Sequence, residues 1–229
     1  MKIIALIPFW IDYKPLKASL TCKPLVKVSG KSLINRTIEI VNHINLIDKT
    51  VVFTSDNEVS NHIDDSANYQ IVQRDASLNS NKASIEDVIY DFLKVSDADI
   101  VLLIQPKSPF IQSKTIEECI EKVLIGEFDS AFIATQLFHN IKRQAWYKGK
   151  PLNYLFDKDK TILSELDPVL IESSSIYVLT RELFKKNRHF IGANPYIKEV
   201  GHFEGFEVNN KDDLMMAELM INAGLDKAF

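Results

Sequence analysis

The sequence predicts an α/β fold, a Rossmann-like and mostly parallel sheet flanked by helices, on three observations. Short β-branched runs alternate with helical segments through the first 135 residues. Two of those helical segments carry apolar residues on one face only. Capping residues stand directly at their starts.

The opening MKIIALIP gives a first strand at Ile3–Ile7. It is too brief for a transmembrane helix and lacks a small-residue cleavage site, so it reads as a buried strand. Further strands are expected at Thr50–Thr54, Tyr69–Val72, Ile100–Ile104 and Ala131–Ala134. Between them, Ile85, Val88, Ile89, Phe92 and Leu93 recur at helical spacing, as do Ile116, Cys119, Ile120, Val123 and Leu124. Ser84 followed by Asp87 caps the first of these helices, and Ser113 or Thr115 opens the second. The pattern breaks from about Phe138 to Pro168, where Gly149 and Pro151 mark a turn. Regular structure resumes at SSSIYVLT, PYIKEV and GFEV and ends in a helix capped near Asn210 that runs through Leu214, Ala217 and Ile221. One domain over residues 1–229, with an inserted arm at about 138–170, is the expected organisation.

Composition narrows the function. Apolar residues at 46% and charged residues at 25% describe an ordinary globular protein. A net charge of −4 with scattered basic residues argues against a nucleic-acid partner, and no segment suggests a membrane one. Two cysteines, Cys22 and Cys119, without CxxC spacing fit neither a disulfide framework nor a zinc site and point to a reducing cytoplasm. The five His residues show no metal spacing.

An open parallel sheet binds ligands beyond the carboxyl ends of its strands, so the loops there carry the candidate residues. The loop after the first strand holds Lys14, Lys17, Lys23, Lys27 and Lys31 and ends in a Gly before a helix. It either folds over a triphosphate or is a solvated surface loop. Asp56 and Glu58 meet a ribose or cap the next helix. Arg74, with Ala83 and Ser84 at a helix start, holds a base and its phosphates or forms a surface ion pair. Gln105, Lys107 and Ser108 end a wholly apolar strand between two prolines, a rigid polar turn of the kind that carries function. Glu207 and Asn209, alternating along a strand, face one side and are the candidate Mg²⁺ ligands, whereas Asp212 and Asp213 are explained by the last helix's positive end. Trp146, Tyr147, Tyr154 and Phe156 form an aromatic cluster in the irregular segment, suited to an intersubunit contact.

In this order, KPLVKVSGKSLINRTI, VVFTSDNEV, RDASLNSNKAS, LLIQPKSPF, SSSIYV and FEVNNKDDLMMAE resemble the acylneuraminate cytidylyltransferases and, more distantly, the Kdo cytidylyltransferases. The resemblance covers nearly the whole chain and implies a sugar-nucleotidyltransferase fold with a dimerisation arm. It implies that a hydroxyl of an acidic sugar, sialic acid-like or a related 2-keto acid, attacks the α-phosphate of CTP with Mg²⁺ as cofactor, giving a CMP-sugar and pyrophosphate. Lys23, with Lys14, would act on the phosphates; Pro8, Lys17, Arg74, Ala83 and Ser84 would hold the nucleotide. Gln105 and Lys107, with Tyr177 and Phe190, would meet the sugar, and Lys142 would reach the partner's site in a homodimer. The chain departs from that pattern. Pro8 and Phe9 replace an Ala-Arg pair, Asn81 and Lys82 an Asp-Thr pair, and Ile111 an Arg. Ser173 and Ser174 replace Asn-Gly, with Ile171 in place of a nearby Arg. Lys107 stands for a small hydroxyl residue, and Glu207 and Asn209 stand for two Asp residues. These leave a second reading, a catalytically impaired relative that binds a nucleotide or a protein. A glycosyltransferase is disfavoured because Asp97 and Asp99 precede a strand instead of following one.

Overall fold

The computed structural model describes residues 1–10, 23–79, 83–137, 145–153 and 168–225. Its strands are β1 (Ile3–Pro8), β2 (Lys27–Val28), β3 (Lys31–Ser32), β4 (Lys49–Thr54), β5 (Gln70–Gln73), β6 (Ile100–Ile104), β7 (Ser130–Gln136), β8 (Trp146–Tyr147), β9 (Lys150–Pro151), β10 (Leu170–Thr180) and β11 (Pro195–Glu199). Its α-helices are α1 (Leu33–Asn42), α2 (Ile85–Val95), α3 (Ser113–Leu124), α4 (Arg181–Asn187) and α5 (Lys211–Asn222).

Seven strands form the central sheet in the order β11-β7-β10-β6-β1-β4-β5. β10 runs antiparallel to both neighbours, β6 and β7, and the other pairings are parallel. The alternation of β1 explains the layering. Ile3, Ala5 and Ile7 pack with Ile34, Ile38 and Val41 of α1 and Ile116, Cys119 and Ile120 of α3. Ile4 and Leu6 face the other way, onto Val88, Ile89 and Phe92 of α2 and Leu183 and Phe184 of α4. A strand covered on both faces must be apolar at every position, and all six residues of β1 and all five of β6 are buried. Each such aliphatic side chain contributes about 1.5–3 kcal/mol by leaving water. The edge strands β5 and β11 carry only exposed and half-buried residues instead.

The expected strands in the first 135 residues lie within a residue or so of the observed ones. Ser84 caps α2 in a reciprocal box with Asp87, and Asn210 caps α5 in the same way with Asp213. Two expectations need correction. GFEV forms no strand; Val208 makes one backbone bond, from its N–H to Lys107 O at 2.8 Å, and the segment is otherwise irregular. At α3 neither Ser113 nor Thr115 is the cap: Gln112 holds that position without a side-chain bond, and its own N–H donates to Glu204 Oε1 at 3.3 Å. The expected turn at Gly149 is the tip of the β8–β9 hairpin, where Lys148 and Gly149 both take positive φ. Ser29 and Gly30 do the same between β2 and β3, the backbone twist that two-residue hairpins favour.

Candidate functional site

From β1 the chain moves outward through β4 to β5, then returns to β6 on the other side of β1. The switch point is therefore the crevice beyond the carboxyl ends of β1 and β6. Arg74 follows β5 and Lys107 follows β6, so they bracket a ledge three strand spacings wide, about 14 Å.

At the β6 end a rigid turn holds Lys107. Its N–H donates to Gln105 O at 2.8 Å, and Gln105 N–H donates to Ser175 O at 2.8 Å. Between Glu172 and Tyr177 the register of β10 against β7 shifts, with five steps along β10 matching two along β7. A bulge of that size turns side chains out of the pleat. Here it presents a serine triplet to the turn. Ser173 Oγ donates to Glu207 Oε1 at 2.7 Å, and the Lys107 ammonium donates to Ser174 Oγ. Lys107 Nζ also lies 3.4 Å from Glu207 Oε2. Asn209 Nδ2 donates to the same Glu207 oxygen at 3.3 Å, and Lys23 Nζ donates to Asn209 Oδ1 at 3.2 Å. Six side chains from four separate segments thus form one bonded network. Burial pulls the Lys107 pKa below the usual lysine range, against the opposing pull of Glu207.

Beside this network is a cleft of about 270 Å³, whose lining includes Thr135, Glu172, Ser173, His202, Gly205 and Glu207. Tyr177 donates its hydroxyl to Glu172, and its ring packs 4.4 Å from Phe190. Burial, then Glu172, raises the Tyr177 pKa. Phe190 is buried behind Tyr177 in the core, away from the cleft lining.

At the β5 end, Arg74 is buried, with its Nη2 donating to Asn79 Oδ1 at 2.6 Å and its guanidinium 5.5 Å from the Trp10 ring. Among the described residues, Arg74 Nε and Nη1 find no hydrogen-bond partner, and neither does Ser108 Oγ in the β6 turn. Buried polar atoms are ordinarily satisfied, so these donors on both sides of the ledge are open to a partner from outside the described residues. Burial lowers the Arg74 pKa, opposed by Asp91.

The structure brings Lys23, Asn209, Lys107 and Glu207 together, a partnership the loop reading left open, and Pro8 ends β1 at the switch point. Lys14, Lys17, Lys142, Tyr154 and Phe156 lie outside the described residues. Ser84 is committed to its cap: its Oγ accepts from Asp87 N–H at 3.2 Å and its N–H donates to Asp87 Oδ2 at 2.8 Å. Asp56 closes a local turn through Glu58 N–H at 2.8 Å and caps no helix. Asp99 accepts from Lys2 N–H at 2.7 Å at the opposite edge of the sheet, remote from the crevice. Glu172 and His202 went unread in the sequence. Glu172 carried a usable signal, a lone acid in the apolar and hydroxyl run LIESSSIYVLT; His202 carried none.

Mg²⁺ requires near-octahedral oxygen donors, usually one or two carboxylates with water and phosphate. Both Glu207 oxygens already accept from donors, and Asn209 turns its oxygen to Lys23 and its amide nitrogen to Glu207. As arranged, this pair does not fit a Mg²⁺ ligand set. Among the described residues no three His, Cys, Asp or Glu side chains gather to hold a metal ion.

Comparison with known proteins shows the family and the fold. A family model described as cytidylyltransferase matches residues 19–205. The 3-deoxy-manno-octulosonate cytidylyltransferase of Chlamydia pneumoniae is 27% identical over 179 residues, 73% of this chain and 68% of that protein. The N-acylneuraminate cytidylyltransferase of Streptococcus agalactiae serotype III is 23% identical over 219 residues, 94% of this chain but 52% of that protein. The chain therefore spans between half and two thirds or so of the length of these relatives. Among solved structures, a CMP:2-keto-3-deoxy-manno-octonic acid synthetase complexed with CTP superposes with a TM-score of 0.70 at 15% identity, covering 98% of this chain and 100% of that one. A 4-diphosphocytidyl-2C-methyl-D-erythritol synthase from Anaerococcus prevotii gives 0.63 at 13% identity, covering 96% of each chain. At such identities the structures show the shared fold.

Proposed function

Because the chain belongs to the cytidylyltransferase family, we propose that it couples CTP to an acidic sugar, sialic acid-like or a related 2-keto acid, releasing pyrophosphate. The observation that carries this reading is the ledge between Arg74 and the Lys23, Lys107 and Glu207 network, with a polar cleft beside it. Arg74 has two donors on separate edges of its guanidinium, Nε and Nη1, to offer the base or a phosphate oxygen. Lys23 and Lys107 supply positive charge where the triphosphate would lie. The cleft by Glu172, Ser173 and His202 would take the sugar, whose hydroxyl oxygen attacks the α-phosphorus in line. The bond from that phosphorus to the bridging oxygen breaks, the hydroxyl proton passes to water, and pyrophosphate leaves. The test is pyrophosphate release from CTP with a panel of 2-keto sugar acids, repeated on Lys23→Ala. Turnover with one acid that Lys23→Ala depresses supports the reading, and no release with any acid sinks it.

The saturation of Glu207 favours a second reading, a catalytically impaired relative that binds CTP without turning it over. Calorimetric CTP binding without pyrophosphate release would establish it. We also infer a homodimer through the arm: Trp146 and Tyr147 on the β8–β9 hairpin are 54% and 61% exposed, more apolar surface than a lone hairpin ordinarily presents. Sedimentation of Trp146→Ser tests this, with a monomer expected. A reducing cytoplasm remains the compartment we assign, on the cysteine count. Among the described residues no helix is long and apolar enough to cross a membrane.

A further inference from the structure

We propose that the Lys107 ammonium does at this site what a divalent cation would otherwise do, so that nucleotide phosphates are held without a metal on Glu207. This rests on the CTP reading above and concerns the same site.

Three features carry it. The Lys107 ammonium sits 3.4 Å from Glu207 Oε2, and the other carboxylate oxygen accepts from Ser173 Oγ at 2.7 Å, so Glu207 is neutralised and both its oxygens are engaged by the chain itself. Position 209 is an amide whose oxygen faces a second ammonium, Lys23, at 3.2 Å. The charges then close without an ion: two lysines against one carboxylate leave the cluster at a net +1. A carboxylate at 209 with a neutral residue at 107 would make the same cluster two charges more negative, the deficit that one divalent cation fills. Lys107 is also held in place for the task, by the Ser174 hydroxyl and by a backbone turn tied to Gln105 and to Val208. A flexible surface lysine would be lost to solvent, whereas this side chain is almost wholly enclosed.

The experiment uses the intact chain and Mn²⁺ as probe. Titration of the wild type with Mn²⁺, read by its electron paramagnetic resonance signal, is expected to show no bound ion at this site. Lys107→Ser combined with Asn209→Asp should create one, and adding Glu207→Gln should remove it again. CTP binding by calorimetry to the wild type should change by no more than about threefold between EDTA and excess Mg²⁺. Lys107→Ser should weaken binding in EDTA about tenfold or more, with Lys107→Arg retaining it. Mn²⁺ binding to the wild type that Glu207→Gln abolishes would overturn the proposal. So would a double variant that folds, by circular dichroism, yet binds no Mn²⁺, or CTP affinity that collapses in EDTA. Failure of CTP to bind under any condition sinks the nucleotide reading instead, and the Mn²⁺ titrations still decide the role of Lys107.

Discussion

The Lys107 ammonium lies 3.4 Å from Glu207 Oε2, with the two side chains only 11% and 17% exposed. Breaking a buried pair by deleting one partner leaves an uncompensated charge and typically costs about 3–5 kcal/mol; the residual exposure here reduces that to about 2–3 kcal/mol. Glu207→Ala is therefore expected to be strongly destabilising in urea. Adding Lys107→Met removes the orphaned charge, so the double variant should be more stable than Glu207→Ala alone. Strict additivity in the double-mutant cycle would show that the two groups are not coupled.

Arg74 and Trp10 should report on a bound nucleotide. The chain has two Trp residues, so a Trp146→Phe background leaves Trp10, 5.5 Å from the Arg74 guanidinium, as the sole emitter. CTP should change its fluorescence. Arg74→Lys keeps a charge but loses the planar fork, and should weaken CTP by about tenfold or more while shifting stability by less than about 1 kcal/mol. An unchanged CTP titration in that variant would place the nucleotide elsewhere.

Ser84 is expected to act on stability alone. Its hydroxyl and its N–H are both engaged with Asp87, and loss of such a cap costs about 1 kcal/mol. Ser84→Ala should lower the thermal midpoint and leave the KM for CTP within about twofold. A raised KM at unchanged stability would return the hydroxyl to the nucleotide.

Cys119 sets an alkaline limit. Burial pushes its thiol up from 9.0 to about 12. In that window the folded chain keeps a proton that the unfolded chain has lost, so stability falls as pH rises, by about 1.4 kcal/mol per pH unit for this one group. The contribution is fully present below pH 9. In a Cys22→Ser background, Cys119→Ala should flatten the decline of the urea midpoint above pH 9. The Tyr196 hydroxyl, raised to about 12 by its bond to Glu118, leaves a residual slope. Equal slopes with and without Cys119 would refute the assignment.

What the sequence made legible follows from range. β1, β6, α2 and α3 are written in local periodicity, because each must hide one or both faces against a neighbouring layer. The caps at Ser84 and Asn210 are bonds across three residues and are equally local. The site is a long-range object. Lys107 meets Ser174 across 67 residues, and Lys23 meets Asn209 across 186. Spacing therefore placed candidate loops on the right edge of the sheet but left their partnerships open. It also suggested that 207 and 209 share a strand face. The strand is absent, and what aligns them is the hold of Lys107 O on Val208 N–H. The bulge that delivers Ser173 to Glu207 has no signature in SSSIYVLT, a run of hydroxyl and then apolar residues that reads as a plain strand.

Gly205→Ala should separate sugar recognition from nucleotide recognition. A Cβ there would stand 2.4 Å from Thr135 Cγ2 and 3.2 Å from Val200 Cγ2, so the segment from 201 to 207 must shift to admit one. Thr135 and Gly205 both line the cleft beside Glu172 and Ser173, whereas Arg74 lies across the ledge, three strand spacings from β6. Overpacking of this kind costs about 1–3 kcal/mol and moves backbone. Gly205→Ala should therefore raise the KM for the acidic sugar about tenfold, corresponding to about 1.4 kcal/mol, and leave CTP binding nearly unchanged. Combining it with Thr135→Ser removes the methyl group that clashes and should recover much of the loss. Equal weakening of CTP and sugar would mean that the cleft and the ledge form a single pocket, and the division of labour between them would fall.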